Sequence, residues 1–163
     1  MRIARSLALA TLAMAAPALA ETTYGFAGGV VEVRNAPSPA DHALTYVNGG
    51  GFAVLPVGPC ALIPGLALEY STDVGSWGAV ASGVLDTPIG KSPIGFDIVA
   101  LLLHDQMGTD FSHAAFYLGA GGGGSWFVDK QLTLSLAWNY YIGLNDAAVP
   151  RSQGPTLFVS RTF

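Results

Sequence analysis

Residues 131–142 read Gln131-Leu132-Thr133-Leu134-Ser135-Leu136-Ala137-Trp138-Asn139-Tyr140-Tyr141-Ile142. Side chains alternate faces along an extended strand, so a period of two describes a two-faced strand. Leu132, Leu134, Leu136, Trp138, Tyr140 and Ile142 share one face. Gln131, Thr133, Ser135, Ala137, Asn139 and Tyr141 share the other. An apolar face of this length needs either a second sheet or lipid against it, and the rest of the chain decides which.

The N-terminal region reads as an export signal. Arg2 and Arg5 are followed by an apolar run from Leu7 to Ala16, of about the length of a signal-peptide core. Pro17 and then Ala18-Leu19-Ala20 complete a small-x-small cleavage pattern. Residues 1–20 are expected to be removed, leaving a mature chain over 21–163. A membrane anchor is the alternative, but a spanning helix needs about 20 apolar residues.

Without residues 1–20, five basic residues remain (Arg34, Lys91, Lys130, Arg151, Arg161) against 11 acidic ones, a net charge of −6. This charge excludes the usual electrostatic footprint of a nucleic-acid or polybasic membrane-surface protein. The chain is 51% hydrophobic, with 21 glycines and only 11% charged residues, unlike an ordinary soluble domain. The most apolar later window, Ile94 to Leu103, contains Asp97 and is too short to span as a helix. A strongly apolar exported chain without a spanning helix has a closed β-barrel as its membrane solution.

The C-terminal strand carries a more specific pattern. Leu157, Val159 and Phe163 share a face, and the sequence stops at Phe163. This resembles the closing strand of bacterial outer-membrane barrels, which ends in an aromatic residue preceded by apolar residues at alternate positions. The resemblance implies that Leu157, Val159 and Phe163 are read by the barrel-assembly machinery. Arg161 departs from the pattern, and its aliphatic stem suits snorkelling to the headgroups.

Asp129-Lys130 reads as a tight turn between two alternating runs. Working outward gives eight segments: 22–33, 43–55, 61–71, 77–85, 93–103, 113–128, 131–142 and 155–163. The expected fold class is all-β, an eight-stranded antiparallel up-and-down transmembrane barrel. An even strand count puts both termini on one side. Pro56–Cys60, Asp86–Ser92 and Asp129-Lys130 are the shorter connections and are expected in the periplasm. Arg34–His42, His104–Ser112 and Gly143–Gly154 are longer and are expected outside, with the short Thr72–Ser76.

Parity sketches the interior. Leu62, Leu66, Leu68 and Tyr70 face lipid, which puts Glu69 inside. Ile94, Phe96, Ile98 and Leu102 do the same for Asp97. Thr133, Ser135 and Asn139 complete the expected polar lumen and are candidate partners for the two acids. Isolated buried carboxylates are costly. Arg34 could enter if Val31 and Val33 face outward, and Arg161 if a bulge shifts the last strand. An eight-stranded barrel is just wide enough for side chains to fill, so a plugged interior is expected. Strand glycines, including the run 121–124, relieve crowding there, and Trp126 could cover exposed backbone. The alternative, a flexible linker at 121–124, conflicts with the apolar residues on both sides.

Ionisable residues gather in the expected outer loops: Asp41, His42, His104, Asp105, Asp110, Ser112, His113 and Asp146. Ser112 with His104 or His113 and Asp105 forms a candidate nucleophile–base set. An Asp/His group that activates water, as in omptin-type proteases, is a second candidate. Neither is specific. Omptins have more strands, and the His-x-Ser-Asn pattern associated with lipid A deacylases is absent. Solvated loop residues are the simpler reading. No catalytic residue, cofactor or metal site is expected. Cys60 is the only cysteine, so it reads as a structural residue at a periplasmic turn. Trp77, Trp126, Trp138 and Tyr140 read as membrane-girdle aromatics, and with Tyr141 they could alternatively form a binding platform.

As a whole the mature chain resembles small bacterial outer-membrane barrels of the OmpA transmembrane-domain, OmpX and YfaZ-like kinds. The resemblance implies an outer-membrane location, lipid and lipopolysaccharide as surroundings, the assembly machinery as a transient partner, and a monomer. The leading functional expectation is a non-enzymatic structural or surface-interaction protein. A small lipid hydrolase at the extracellular rim and a narrow channel for small solutes are the alternatives.

Overall fold

The computed structural model describes residues 22–35, 43–73, 75, 77–106, 114–144 and 151–163. The expected signal peptide, residues 1–20, lies outside them. Eight strands are present: β1 (Thr23–Asn35), β2 (Ala43–Val57), β3 (Cys60–Ser71), β4 (Trp77–Pro88), β5 (Ile94–Gln106), β6 (Ala114–Phe127), β7 (Leu132–Gly143) and β8 (Arg151–Thr162). Each pairs antiparallel with its neighbour in sequence, and β8 pairs with β1 to close a barrel. Closure removes both sheet edges, so backbone donors and acceptors are met between strands without water.

The alternation fixes which face is which. Outward lie Phe26, Val47, Leu66, Leu68, Ile98, Leu118, Leu136, Ile142 and Leu157, with Leu66 at 71% exposure. Burying one such side chain is worth about 1.5–3 kcal/mol. A belt of them around the whole circumference is therefore stable only against an apolar solvent. No second sheet covers this face among the described residues, so lipid is the neighbour, and the fold is a transmembrane β-barrel.

Inward lie Val31, Tyr46, Val99, Ala137 and Tyr141, all buried. Glycines opposite large rings make this packing possible. A methyl group at Gly29 would stand 2.5 Å from the Phe158 ring, and one at Gly119 2.9 Å from the Tyr141 ring. Gly25 makes the same room for Phe52. On the outer face, the Phe26 ring lies 3.7 Å and the Phe96 ring 3.8 Å from methyl positions at Gly51 and Gly122. Phenylalanines, rather than Trp126, thus cover these outer glycines, in the manner of aromatic rescue.

Several strands run further than their sequence signals suggested. β8 begins at Arg151 rather than 155, because the chain passes through Gly154-Pro155 without turning. Pro155 keeps its place opposite Trp138 of β7, while the β1–β8 ladder is interrupted between Thr156 and Gln153. A proline lacks the N–H that a ladder needs on one side. β2 likewise runs through Pro56 to Val57, which shrinks the first short connection to Gly58-Pro59, with Gly58 at φ 61°. β4 extends to Pro88, taking Asp86 out of the expected loop and into the barrel wall.

Neither condition for bringing a cation into the lumen is met. Val31 faces inward, so β1 does not adopt the register that would admit Arg34. Arg161 is exposed, paired with Leu132 and Phe26, and no bulge shifts β8.

Candidate functional site

The lumen holds two polar layers. The first is nearer the end where β3 joins β4. There Asn139 donates from Nδ2 to Thr156 Oγ1 at 2.8 Å, both fully buried. Tyr141, opposite Ser152 and beside Gly119, reaches Thr156 and Asn139 and has Glu69 as its charged neighbour. Glu69, Asn48 and Ser71 are buried on the adjoining wall. Asn48 pairs in register with Glu69, and Tyr46 with Ser71.

The second layer lies near the short-turn end. Asp86 of β4 and Asp97 of β5 are directly opposed in the antiparallel register. They are 6% and 3% exposed, and their carboxyl groups meet within hydrogen-bonding reach. The Ser125 hydroxyl donates to Asp97 Oδ2 and lies 3.0 Å from the Ser135 hydroxyl of β7. Four strands therefore converge oxygen atoms on one spot. No group of three or more His, Cys, Asp or Glu side chains is placed to hold a metal among the described residues.

Four of the five expected lumen residues are divided between these layers. Glu69 and Asn139 belong to the first, Asp97 and Ser135 to the second. Asp97 is met by Ser125, with Ser135 one step further on, and Asn139 is engaged by Thr156. Thr133 is half-buried opposite Phe127 and Ser160. Sequence reasoning missed Ser125, Thr156 and Asp86. Parity would have found Ser125 and Asp86 had β6 been read from Tyr117 and β4 been carried past Leu85.

The four expected girdle aromatics, Trp77, Trp126, Trp138 and Tyr140, lie on the outer face. Trp77 is at the start of β4, with its ring 4.8 Å from Tyr70, and Trp126 is near the end of β6. Tyr140 lies close to the end of β7, whereas Trp138 is nearer its middle, opposite Gly122 and Pro155. Tyr141 points inward, so it is not part of an exterior platform. Phe163 packs against Phe26, and Leu157 and Val159 face outward on β8. Ile94, Trp126, Leu134, Leu136 and Leu157 line an outer groove of about 410 Å³ floored by Gly124.

Of the candidate nucleophile–base set, Ser112 and His113 lie outside the described residues, as do Asp41, His42, Asp110 and Asp146. His104 and Asp105 are strand residues on β5, opposite Ala79 and Gly78 of β4, rather than loop residues. Cys60 opens β3 beside the Gly58-Pro59 turn and accepts a contact from Thr87 Oγ1 at 3.6 Å. In the β6–β7 connection, Asp129 accepts from the amides of Gln131 at 2.7 Å and Leu132 at 2.8 Å. These two amide hydrogen bonds hold its carboxyl below the usual carboxylate range.

No protein-family profile and no curated relative matches the chain. Solved structures do match it. Neisserial surface protein A is 14% identical, with 87% of this chain and 96% of that one aligned at a TM-score of 0.53. The N-terminal β-barrel domain of Pseudomonas aeruginosa OprF is 10% identical, with 86% and 97% aligned at 0.58. The Yersinia pestis outer membrane protein Ail is 10% identical, with 88% and 100% aligned at 0.51. All three are small outer-membrane barrels, and at these identities the likeness is one of fold. The chain has the OmpA/OmpX-type barrel fold.

Proposed function

We propose that the protein is an integral barrel of the bacterial outer membrane, exported by residues 1–20, that acts as a structural or surface-interaction element without catalysis. The observation that supports this reading is the pairing of a continuous lipid-facing belt with bulky side chains turned into the interior. Tyr46, Tyr141, Val31 and Val99 are buried in that interior, and glycines face its rings. Such a barrel offers lipid and lipopolysaccharide an apolar wall, and offers partners only its loops. Trp77, Trp126, Trp138 and Tyr140 serve as girdle anchors. Leu157, Val159 and Phe163 present the closing strand to the assembly machinery, and the barrel works as a monomer.

Planar-bilayer recording tests the filled interior. The reading expects no steady single-channel conductance from purified protein. Reproducible conductance steps that disappear on replacing Gly119 with a bulkier residue would establish a solute passage instead.

A further inference from the structure

We propose that the Asp86–Asp97 pair binds one hydrated divalent cation inside the barrel. The two carboxyls face each other across adjacent strands and are almost wholly buried. Two ionised carboxylates so placed carry a double negative charge, and burial without compensation is strongly unfavourable. No Lys, Arg or His faces the lumen among the residues whose side chains are described. Lys91 and Lys130 are exposed in turns, and Arg161 is exposed on the outer face. A divalent ion balances the pair, as two bound protons would, whereas a single shared proton leaves one charge uncompensated.

A second observation points to a ligand. Asp86 takes an amide hydrogen bond from Thr87, yet its Oδ1 is buried with no hydrogen-bond partner. The wall beside that oxygen is Gly95, where a methyl group would stand 2.5 Å from it. The missing side chain therefore makes the room in which this oxygen lies, and the Phe127 ring borders the same space at 3.2 Å. The Ser125 and Ser135 hydroxyls add two neutral oxygens to the two carboxylates. All donors are hard oxygens, the set preferred by Ca²⁺ and Mg²⁺. Only two are anionic, so part of the coordination shell must be water, which suits a weak, exchangeable site. Asp86 lies two residues from the end of β4, within reach of the solvent at the short-turn rim.

The test uses the full chain purified in zwitterionic detergent, stripped with EDTA and titrated with Ca²⁺, with Mn²⁺ as the paramagnetic probe. Calorimetry is expected to give one saturable Ca²⁺ site that weakens at least tenfold in Asp97→Asn and Asp86→Asn. Ser135→Ala, which leaves the carboxylates in place, is expected to weaken it severalfold. Mn²⁺ is expected to broaden the amide signals of Gly95, Gly123 and Ser125 in the wild-type protein, a readout that needs no variant to fold. Absence of saturable binding overturns the proposal. So does binding that Asp97→Asn leaves unchanged, or broadening confined to the exposed carboxylates Asp73 and Asp129. Uptake of protons by the pair with no response to metal would assign the charge balance to those protons and likewise overturn it.

Discussion

Phe163 packs edge-on against Phe26, with ring centroids 6.1 Å apart and planes at 68°, across the seam where β8 closes on β1. The Phe163 amide also donates to the Tyr24 carbonyl at 2.9 Å. Closure thus ends in an aromatic pair on the outer face. A double-mutant cycle with Phe26→Ala and Phe163→Ala, read by urea unfolding in lipid vesicles, should give a coupling of about 0.5–1.5 kcal/mol. Additive effects would mean that the rings touch without stabilising closure.

The outer belt predicts a depth-dependent cost for charge. Leu66 is near the middle of β3 and fully outward. Leu66→Arg should destabilise the barrel by about 2–4 kcal/mol in bilayers, whereas Ile89→Arg, in the β4–β5 connection, should cost about 0–1 kcal/mol. Equal costs at the two positions, in vesicle unfolding titrations, would contradict the assigned membrane span.

Glycines should divide by face. A methyl at Gly119 would meet Tyr141 at 2.9 Å and Leu101 at 3.2 Å, whereas one at Gly83 meets nothing within 4 Å. Gly119→Ala is therefore expected to cost about 1–3 kcal/mol through overpacking. Gly83→Ala should be neutral or stabilising by up to about 1 kcal/mol, because alanine loses less backbone entropy. Thermal unfolding in detergent compares the two directly.

Asp129 gives the β6–β7 turn a pH dependence of defined sign. Its carboxyl is held below the ordinary aspartate range by the Gln131 and Leu132 amides. A depressed folded pKa stabilises the turn above the unfolded pKa, and that stability is lost as pH falls through the folded value. Amide exchange at Gln131 and Leu132 should accelerate in Asp129→Ala at neutral pH. At acid pH, below both pKa values, variant and wild type should converge. A persistent difference there would show that the carboxylate charge is not responsible.

The barrel was legible because lipid makes a simple demand: every other residue must be apolar, and Leu132 to Ile142 meet that demand without exception. The buried acids Glu69 and Asp97 were legible through the same parity. Asp86 was not, because Asp86-Thr87-Pro88 has the composition of a turn while the strand continues through it. Gly154-Pro155 misled in the same way, since one face of the proline still pairs with β7. Polar partners on neighbouring strands were illegible for a different reason. Asn139 meets Thr156, and Asp97 meets Ser125, according to register between strands, which a single strand's pattern does not contain.

The central claim is that the even-numbered residues of β7, and their counterparts around the barrel, face lipid while the interior is closed. Methyl NMR of the unmodified protein in nanodiscs carrying a lipid with a nitroxide on its acyl chain tests this most directly. The account predicts strong broadening at Leu66, Leu68, Ile98, Leu136 and Leu157, with Val31 and Val99 spared. Broadening of Val31 and Val99 to the same extent, or protection of the outer leucines from the nitroxide, would contradict it.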